Sequence, residues 1–450
     1  MTSVFLVSPD FFRASLKKKV VDGELLAVAA ALKDAGFPVS IFDAYRSKES
    51  PWTTLLDQLN LVHSPILFVH LWKVEALEGE ANRVISEISA IRRTIPNLRV
   101  VGFGYLARAL KTQLPSSGGF DAIADADGSE VFSSDEQSSD FKRATQVLSL
   151  SLAGKQTSNL AVMAEHLATT TGKDDVVSIH ASRGCRARCT FCTYNADLSK
   201  GWMPRSINSI ADDIETVLQN SSASKIAFYD NDFGGSLDEL EYRTSQLESI
   251  LRARNLLGRA TFSMNVRSDC LSERSLFSMR AIGVRTILVG LESFNEDTRL
   301  KRFGKILDIT HLRRMVALCD NLDIEILLSY ILWHPWQNPE GLKEEVKLIQ
   351  EIGRHRIPQL LTRSILRVVP GTPVAHLLGF EKIQASQATT FMFKVPETER
   401  LYSRMNQWLE DRLKNINNAG LLHGPERFET LATLKLDELD YYQQTLLESL

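Results

Sequence analysis

Three of the five cysteines stand close together on one short segment, with three and then two residues between them; they are Cys185, Cys189 and Cys192. Cys270 and Cys319 stand alone. Thiolates bind iron–sulfur clusters and zinc, and an odd, clustered set favours a metal site over disulfide bonds. Three thiolates reach one site only if they share a tight loop, and Gly184 gives the backbone the freedom that such a loop needs.

A cubane 4Fe-4S cluster is the first kind of site that this spacing allows. The cluster has four irons, so three thiolates leave one iron without a protein ligand. That open position can take the amino and carboxylate groups of S-adenosylmethionine (SAM), and an electron passed through the cluster can then break the adjacent C–S bond and form a 5′-deoxyadenosyl radical. The alternative is a zinc-stabilised binding protein with His180 as a fourth ligand, although the second short Cys/His element of a zinc knuckle is not visible.

The Cys-x-x-x-Cys-x-aromatic-Cys arrangement resembles the signature of the radical SAM superfamily. Three later segments resemble the superfamily in the expected order. Residues 227–233 resemble the second-strand acidic motif that meets the amino group of SAM, residues 265–269 follow the third strand, and residues 290–293 resemble the fourth-strand phrase that reaches the ribose and carboxylate. The resemblance implies that the three cysteines bind the cluster and that the following residues bind SAM: Phe191, Asp230, Asn231, Asn265, Arg267, Glu292 and Ser293.

Two further segments, residues 302–305 and 370–373, also match the superfamily, whereas the fifth strand departs from it. Many relatives have a Gly-x-Pro phrase there, but residues 331–337 read Ile-Leu-Trp-His-Pro-Trp-Gln. Two tryptophans and His334 at this position can wall a substrate pocket, and His334 can supply a proton as a catalytic residue. The other interpretation is a packed aromatic turn in front of the next helix.

Alternating strand and helix patterns in residues 175–373 predict a partial (β/α)6 barrel that positions these residues. Apolar runs predict six strands, at residues 176–180, 225–230, 260–265, 286–291, 325–332 and 360–368. Active sites of such barrels lie at the C-terminal ends of the strands, where the quoted segments fall. Residues 374–450 are polar and predict a mostly helical C-terminal extension without a chemical motif.

A second α/β pattern precedes the barrel and predicts a doubly wound parallel sheet within residues 1–132. The predicted strands are wholly apolar, as in sheets covered by helices on both faces, and lie at residues 4–8, 38–42, 65–71, 98–104 and 120–125. Residues 22–36 and 74–94 predict helices. Residues 128–142 are polar and show neither the helical nor the strand periodicity of apolar residues, so we interpret residues 133–174 as a linker.

The order of elements in residues 3–132 resembles the cobalamin-binding domain of one large radical SAM subgroup. The usual Asp-x-His-x-x-Gly motif is absent, because Asp10 is followed by two phenylalanines. The resemblance implies cobalamin near Leu71, Trp72 and residues 102–105 with no histidine on cobalt. The alternative is a relic domain that shapes the substrate pocket without a corrin.

The overall composition and charge limit which kinds of partner we expect. A formal net charge of −3 gives no broad positive field that would attract a phosphate backbone, so we do not expect a nucleic acid as partner. We expect a small-molecule or peptide substrate instead. The N-terminus does not read as a signal peptide, and no run approaches the roughly 20 apolar residues of a membrane span. We therefore expect a cytoplasmic protein.

The leading functional hypothesis is methylation of an unactivated carbon through methylcobalamin, after hydrogen abstraction by the deoxyadenosyl radical. An electron donor such as flavodoxin or ferredoxin would reduce the cluster. The alternatives are a cobalamin-independent rearrangement, cyclisation or bond cleavage, and transfer of the aminocarboxypropyl group of SAM.

Overall fold

The computed structural model describes residues 2–8, 20–43, 51–71, 80–104, 119–124, 130–132, 138–152, 160–192, 201–369, 372–379, 391–419 and 427–448. The elements up to residue 170 are β1 (Thr2–Ser8), β2 (Val20–Val21), α1 (Gly23–Asp34), β3 (Val39–Asp43), α2 (Pro51–Leu59), β4 (Ser64–His70), α3 (Glu80–Thr94), β5 (Arg99–Phe103), β6 (Ala122–Ala124), β7 (Glu130–Phe132), α4 (Ser139–Leu152) and α5 (Ala164–Thr170).

The first sheet has the order β3-β1-β4-β5-β6-β7, and its strands are parallel except for β7, which runs antiparallel to β6. The five predicted strands are present. Strand β7 was not predicted, since three residues are too few to show a period. Apolar side chains of α1 and α4 cover one face of the sheet, and those of α2 and α3 cover the other. The predicted doubly wound architecture is confirmed.

The segment interpreted as a linker, residues 133–174, contains helices in its described part. Phe141, Leu148 and Leu152 of α4 are fully or almost fully buried in the same core as α1. Because these residues recur at helical spacing, they form an apolar stripe that the polar residues around them concealed. The linker interpretation is therefore wrong for residues 139–152. The division into domains at the expected boundaries stays a prediction.

The elements after residue 175 are β8 (Val176–Ile179), β9 (Ser182–Gly184), β10 (Trp202–Pro204), α6 (Ile207–Asn220), β11 (Lys225–Phe228), α7 (Leu237–Ala253), β12 (Thr261–Val266), α8 (Glu273–Ile282), β13 (Val284–Glu292), α9 (Ile309–Asn321), β14 (Glu325–Tyr330), α10 (Pro339–Ile352), α11 (Pro373–Leu377), α12 (Pro396–Asn418) and α13 (Arg427–Glu448). The second sheet is parallel throughout and has the order β14-β13-β12-β11-β8-β2.

Five of the six predicted barrel strands are present, but the sixth, at residues 360–368, is wrong. A 3-10 turn occupies Leu361–Arg363, and only Ile365 makes a parallel bridge, to Trp333. The reason is that the backbone N–H groups of Leu361 and Thr362 donate to the buried carboxylate of Glu438, at 2.7 and 2.9 Å, and so are not available for a strand. The sixth strand of this sheet is β2, which pairs with β8 at the opposite edge.

The predicted helical C-terminal extension is confirmed by α12 and α13, which pack against the end of the barrel. Tyr442 of α13 is fully buried, and its hydroxyl accepts a hydrogen bond of 3.0 Å from the Trp333 indole nitrogen. Across the described ranges, no helix combines the length and the apolar character that a membrane span requires.

Candidate functional site

The cysteine loop starts directly after β9 and is anchored at both ends. A Cβ on Gly184 would lie 2.1 Å from the carbonyl oxygen of Gly201, and its φ of 75° is left-handed, so the position requires glycine. Further along, the Thr190 N–H donates to the Phe303 carbonyl at 2.9 Å. Cys189 is buried, the other two loop cysteines are half-buried, and all are free thiols.

Two cations oppose the effect of burial on the loop thiols. Burial raises the pKa values of Cys185 and Cys189, whereas Arg267 acts on both thiols in the opposite direction and Lys305 acts on Cys189. Cationic neighbours favour the thiolate, which is the form that ligates a metal. Asp232 at Cys185 and Glu292 at Cys189 add to the effect of burial, so both pKa values stay above the ordinary value and the two cations offset the shift only in part.

The thiols and their neighbours do not converge on a single point. Among the described residues, no group of three or more His, Cys, Asp or Glu side chains is arranged to hold one metal ion. The ligands of a cubane cluster bind different irons and need not meet at one point. His180, the fourth ligand of the zinc hypothesis, has its Nδ1 atom 3.9 Å from a carboxylate oxygen of Asp230.

Asp230 braces the start of the cysteine loop. Its Oδ1 atom accepts hydrogen bonds from the backbone N–H groups of Ala181 and Ser182, at 2.8 and 2.7 Å. Burial raises the pKa of Asp230 to about 6, against the effect of these two bonds. The Asn265 amide donates to the Asp230 carbonyl at 2.7 Å, so this pair links β12 to the loop. Asn231 lies beside Asp230 and is half-buried.

Asp232, which was not among the predicted site residues, is the carboxylate of this segment that approaches the cysteines. It is fully buried, and its Oδ2 atom lies 3.9 Å from the Cys185 sulfur and 3.9 Å from Arg267. Arg267 also forms a bidentate pair with Asp269. Asp230 and Asp232 are two residues apart, and this spacing is the signal that could have identified both carboxylates together.

Glu292 and Lys305 meet on the other side of the loop. A Cβ on Gly290 would lie 2.4 Å from a Glu292 carboxylate oxygen and 2.6 Å from the Lys305 nitrogen, so both side chains lie against this glycine. Burial raises the pKa of Glu292, and Lys305 opposes that shift. The φ of Glu292 is 67°, an unfavourable value for a residue with a side chain, which is typical of functional positions.

The neighbouring Ser293 does not join this group. Its hydroxyl donates to a carboxylate oxygen of Glu345 at 2.5 Å, and the backbone N–H groups of Phe294 and Asn295 donate to the same carboxylate. Ser293 therefore connects the end of β13 to α10.

A row of rings continues from Phe191 on the cysteine loop. Its centroid lies 5.4 Å from that of Phe303, which lies 5.5 Å from His334, and Trp336 follows at 6.1 Å. His334 is buried, its Nδ1 atom has no hydrogen-bond partner among the described residues, and burial lowers its pKa to about 3. Trp333 points away into the core, so of the two tryptophans only Trp336 lies in this row of rings, and the substrate pocket stays a prediction.

The structure describes part of the sheet edge at which cobalamin is predicted to bind. Leu71, Gly102 and Gly104 lie at the C-terminal ends of β4 and β5, whereas Trp72, Tyr105 and the loop that contains Asp10 fall outside the described residues. The same holds for Pro370 and Gly371 of the later superfamily segment. His70 ends β4, and its ring stacks on Phe103 at 4.7 Å.

Comparison with known proteins identifies the class. The model of the Radical SAM superfamily matches residues 179–349, which include the cysteine loop, so the chain contains a Radical SAM domain. Such a domain implies a 4Fe-4S cluster and SAM as cofactors, as predicted. No curated protein matches the chain.

Solved structures of two cobalamin-dependent or methyl-transferring radical SAM enzymes have similar folds. OxsB, a cobalamin-dependent SAM radical enzyme with aqua-cobalamin and SAM bound, has a TM-score of 0.70 at 14% identity, covering 99% of this chain and 72% of that chain. The radical SAM methyltransferase TsrM from Kitasatospora setae, with cobalamin and a [4Fe-4S] cluster bound, has a TM-score of 0.62 at 17% identity, covering 83% of this chain and 77% of that chain.

Proposed function

We propose that this protein is a cobalamin-dependent radical SAM methyltransferase that methylates an unactivated carbon of a small-molecule or peptide substrate. The observation that carries the proposal is the joining of a doubly wound parallel sheet to a Radical SAM domain, in an arrangement that resembles cobalamin-dependent OxsB over almost the whole chain. In such sheets ligands bind at the C-terminal ends of the strands.

The thiols, carboxylates, cations and Phe191 of the site each have a chemical part in this proposal. When bound, the cluster and SAM supply a deoxyadenosyl radical, and cobalamin supplies a transferable methyl group. Cys185, Cys189 and Cys192 hold the cluster. Buried carboxylates accept hydrogen bonds from the SAM amino and ribose groups, the two cations offset the charge of the thiolates and of the SAM carboxylate, and Phe191 packs on the adenine.

His334 differs from a general acid in this environment. With a pKa of about 3 it is neutral at physiological pH, so it offers one hydrogen bond at Nδ1 and carries no proton to supply as imidazolium. We assign it to substrate binding at the end of the aromatic row. Trp336, its neighbour in the row, supplies a flat apolar wall for a planar substrate group.

The contacts of His70 indicate that this residue is not a ligand of cobalt in the proposed cobalamin site. Its two ring nitrogens lie 2.8 Å from Asp22 and 3.1 Å from Glu24. Neither nitrogen is therefore available to cobalt at this edge of the sheet. We expect equilibrium dialysis to show cobalamin retained at micromolar concentration, and the paramagnetic spectrum of Co(II) to lack the nitrogen superhyperfine splitting of an axial imidazole. If no cobalamin is retained, the methyltransferase proposal falls and cobalamin-independent radical chemistry replaces it.

Cluster binding is tested separately with single cysteine-to-alanine variants. Replacing Cys185, Cys189 or Cys192 removes a cluster ligand, so we expect loss of iron, acid-labile sulfide and deoxyadenosine formation after anaerobic reconstitution with a chemical reductant. Cys270→Ala and Cys319→Ala are the matched controls, since both thiols are buried in the core and burial raises their pKa values to about 12. Wild-type turnover in a loop variant would contradict the assignment, and zinc in place of iron would revive the binding-protein alternative.

The products of SAM distinguish the reactions. Deoxyadenosine together with S-adenosylhomocysteine is expected for radical methylation, deoxyadenosine alone for a rearrangement or cyclisation, and methylthioadenosine for aminocarboxypropyl transfer. A radical SAM enzyme also needs an electron donor, and flavodoxin and ferredoxin are the donors we propose to compare.

A further inference from the structure

The start of α1 contacts the second sheet as well as the first. β2 extends the barrel sheet through the register Val20↔Val176 and Val21↔Val177. The Gly23 N–H donates to the Ser178 hydroxyl at 2.7 Å, and a Cβ on Gly23 would lie 1.8 Å from the Ser178 carbonyl oxygen. No other residue fits at Gly23, so the backbone of α1 is clamped against β8.

Four charged side chains, two of them buried and two partly exposed, form a chain of ion pairs at this clamp. Asp22 pairs with His70 Nδ1 at 2.8 Å, His70 Nε2 lies 3.1 Å from Glu24 Oε2, and Glu24 Oε1 accepts from the Arg183 guanidinium at 2.7 Å. The exposed fraction of these side chains runs from 0% at His70 to 18% at Arg183. Two carboxylates face two cations, so the chain of charges is balanced when His70 is protonated.

Arg183, the last of these four charged residues, lies two positions before Cys185, the first cluster ligand. Arg183 is the central residue of β9, and β9 pairs with β10 through only three residue pairs. So short a hairpin has little stability of its own and depends on side-chain anchors. Asp230 supplies one anchor, through the backbone N–H of Ser182, and α1 supplies another, because Glu24 is the carboxylate with which Arg183 pairs among the described residues.

We propose that Glu24 is a positioning residue for the cysteine loop: held by His70, it fixes Arg183 and thereby sets the place of Cys185. Because His70 ends a strand of the first sheet, the first sheet itself contributes to the geometry of the cluster site. The inference rests on the cysteine loop as the cluster site and is independent of cobalamin.

The test compares Glu24→Gln with a control variant, Glu438→Gln, both in anaerobically reconstituted protein. Gln keeps the size of the side chain and removes its charge. We expect hydrogen–deuterium exchange of the backbone amides of residues 182–185 to accelerate at least tenfold. Because an unpaired guanidinium then lies near the cluster, we also expect its midpoint potential to rise. Glu438→Gln breaks a second carboxylate–arginine pair, the more deeply buried one with Arg354, so it accelerates exchange at residues 361–362 and leaves residues 182–185 and the potential unchanged.

Arg183→Gln tests the same contact from its other end. Exchange at residues 182–185 should again accelerate, but the potential should fall because a cation has been removed. A purely structural role would not reverse the sign of the potential shift between the two variants. Wild-type exchange at β9 in whichever variant folds, or equal potential shifts in both, would overturn the proposal. Failure of the wild-type protein to bind iron would instead refute the cluster site.

Discussion

Arg267 and Glu292 approach the cysteine loop from the ends of two neighbouring strands, β12 and β13. Arg267 reaches Asp232 beside Cys185, whereas Glu292 lies with Lys305 near Cys189. Neither residue is a thiolate, so neither is needed to hold iron. In the proposed site both side chains face SAM bound at the open iron, and on that assignment they are residues through which affinity for SAM can be changed without loss of the cluster.

We therefore predict that Arg267→Gln and Glu292→Gln each weaken SAM binding about ten- to a hundredfold, which corresponds to the loss of one charged hydrogen bond of roughly 1.5 to 3 kcal/mol. Equilibrium binding of SAM to the reconstituted variants measures the effect, and iron content should stay at the wild-type level. Arg313→Gln, which breaks a surface pair with Glu351, is the control and should change neither quantity. Wild-type affinity in both site variants would show that SAM binds elsewhere.

Residue types revealed which groups stand at the strand ends, but not which way their side chains point. The cysteines and Gly184 could be selected from the sequence because chemistry or backbone conformation demands that type, whereas Glu292 was selected from the resemblance of residues 290–293 to the superfamily. The Asp230 carboxylate instead binds backbone N–H groups, while Asp232 faces Cys185. Such choices depend on local hydrogen bonding that the residue type alone does not determine.

At the scale of elements, the C-terminal helix α13 closes the barrel where a sixth strand was predicted. Glu438 binds two backbone N–H groups and Arg354, and the Tyr442 hydroxyl lies 3.0 Å from both the Trp333 nitrogen and the Thr362 hydroxyl. Residues 360–368 have the apolar character of a strand, but their partner lies about 80 positions later in the chain. No local period could reveal a partner at that separation.

We predict that Tyr442→Phe lowers the free energy of unfolding by about 1 to 3 kcal/mol, because it leaves the Trp333 nitrogen buried without its acceptor. Chemical denaturation measures the change. The adjacent Tyr441 provides the matched control, since its hydroxyl contacts an exposed arginine, Arg404, and its replacement by Phe should cost less than about 0.5 kcal/mol. Equal losses in the two variants would mean that α13 does not hold the end of β14.

At the scale of the whole molecule, α1 joins the two sheets. Its apolar side chains lie in one continuous core with residues of both sheets, and its first turn carries the Asp22–His70–Glu24 contacts. The sequence predicted the two halves and their order from strand and helix periods. It could not show that β2, two residues long, belongs to the second sheet, since two residues carry no period and the pairing is with a strand about 155 positions away.

Protonation of His70 makes the stability of this junction depend on pH. Burial would lower the pKa of His70, but Asp22 and Glu24 outweigh it and raise the pKa to about 9. In the unfolded chain the value is about 6.5. A group whose pKa is raised on folding contributes stability that is complete below the unfolded value and disappears as the pH rises through the folded value. We therefore predict that the free energy of unfolding decreases between pH 6.5 and pH 9, by on the order of 3 kcal/mol from this group.

The measurement is the difference between wild type and His70→Gln in chemical denaturation at several pH values across that window. Other groups titrate there too, and buried thiols such as Cys319 shift stability in the same direction, because the unfolded chain loses those protons first. These groups are common to both proteins, so they cancel in the difference. The wild type should be the more stable protein near pH 6.5, and its advantage should shrink steadily towards pH 9. A difference that is constant with pH would show that His70 is neutral at this junction and that the contact between the sheets does not depend on its charge.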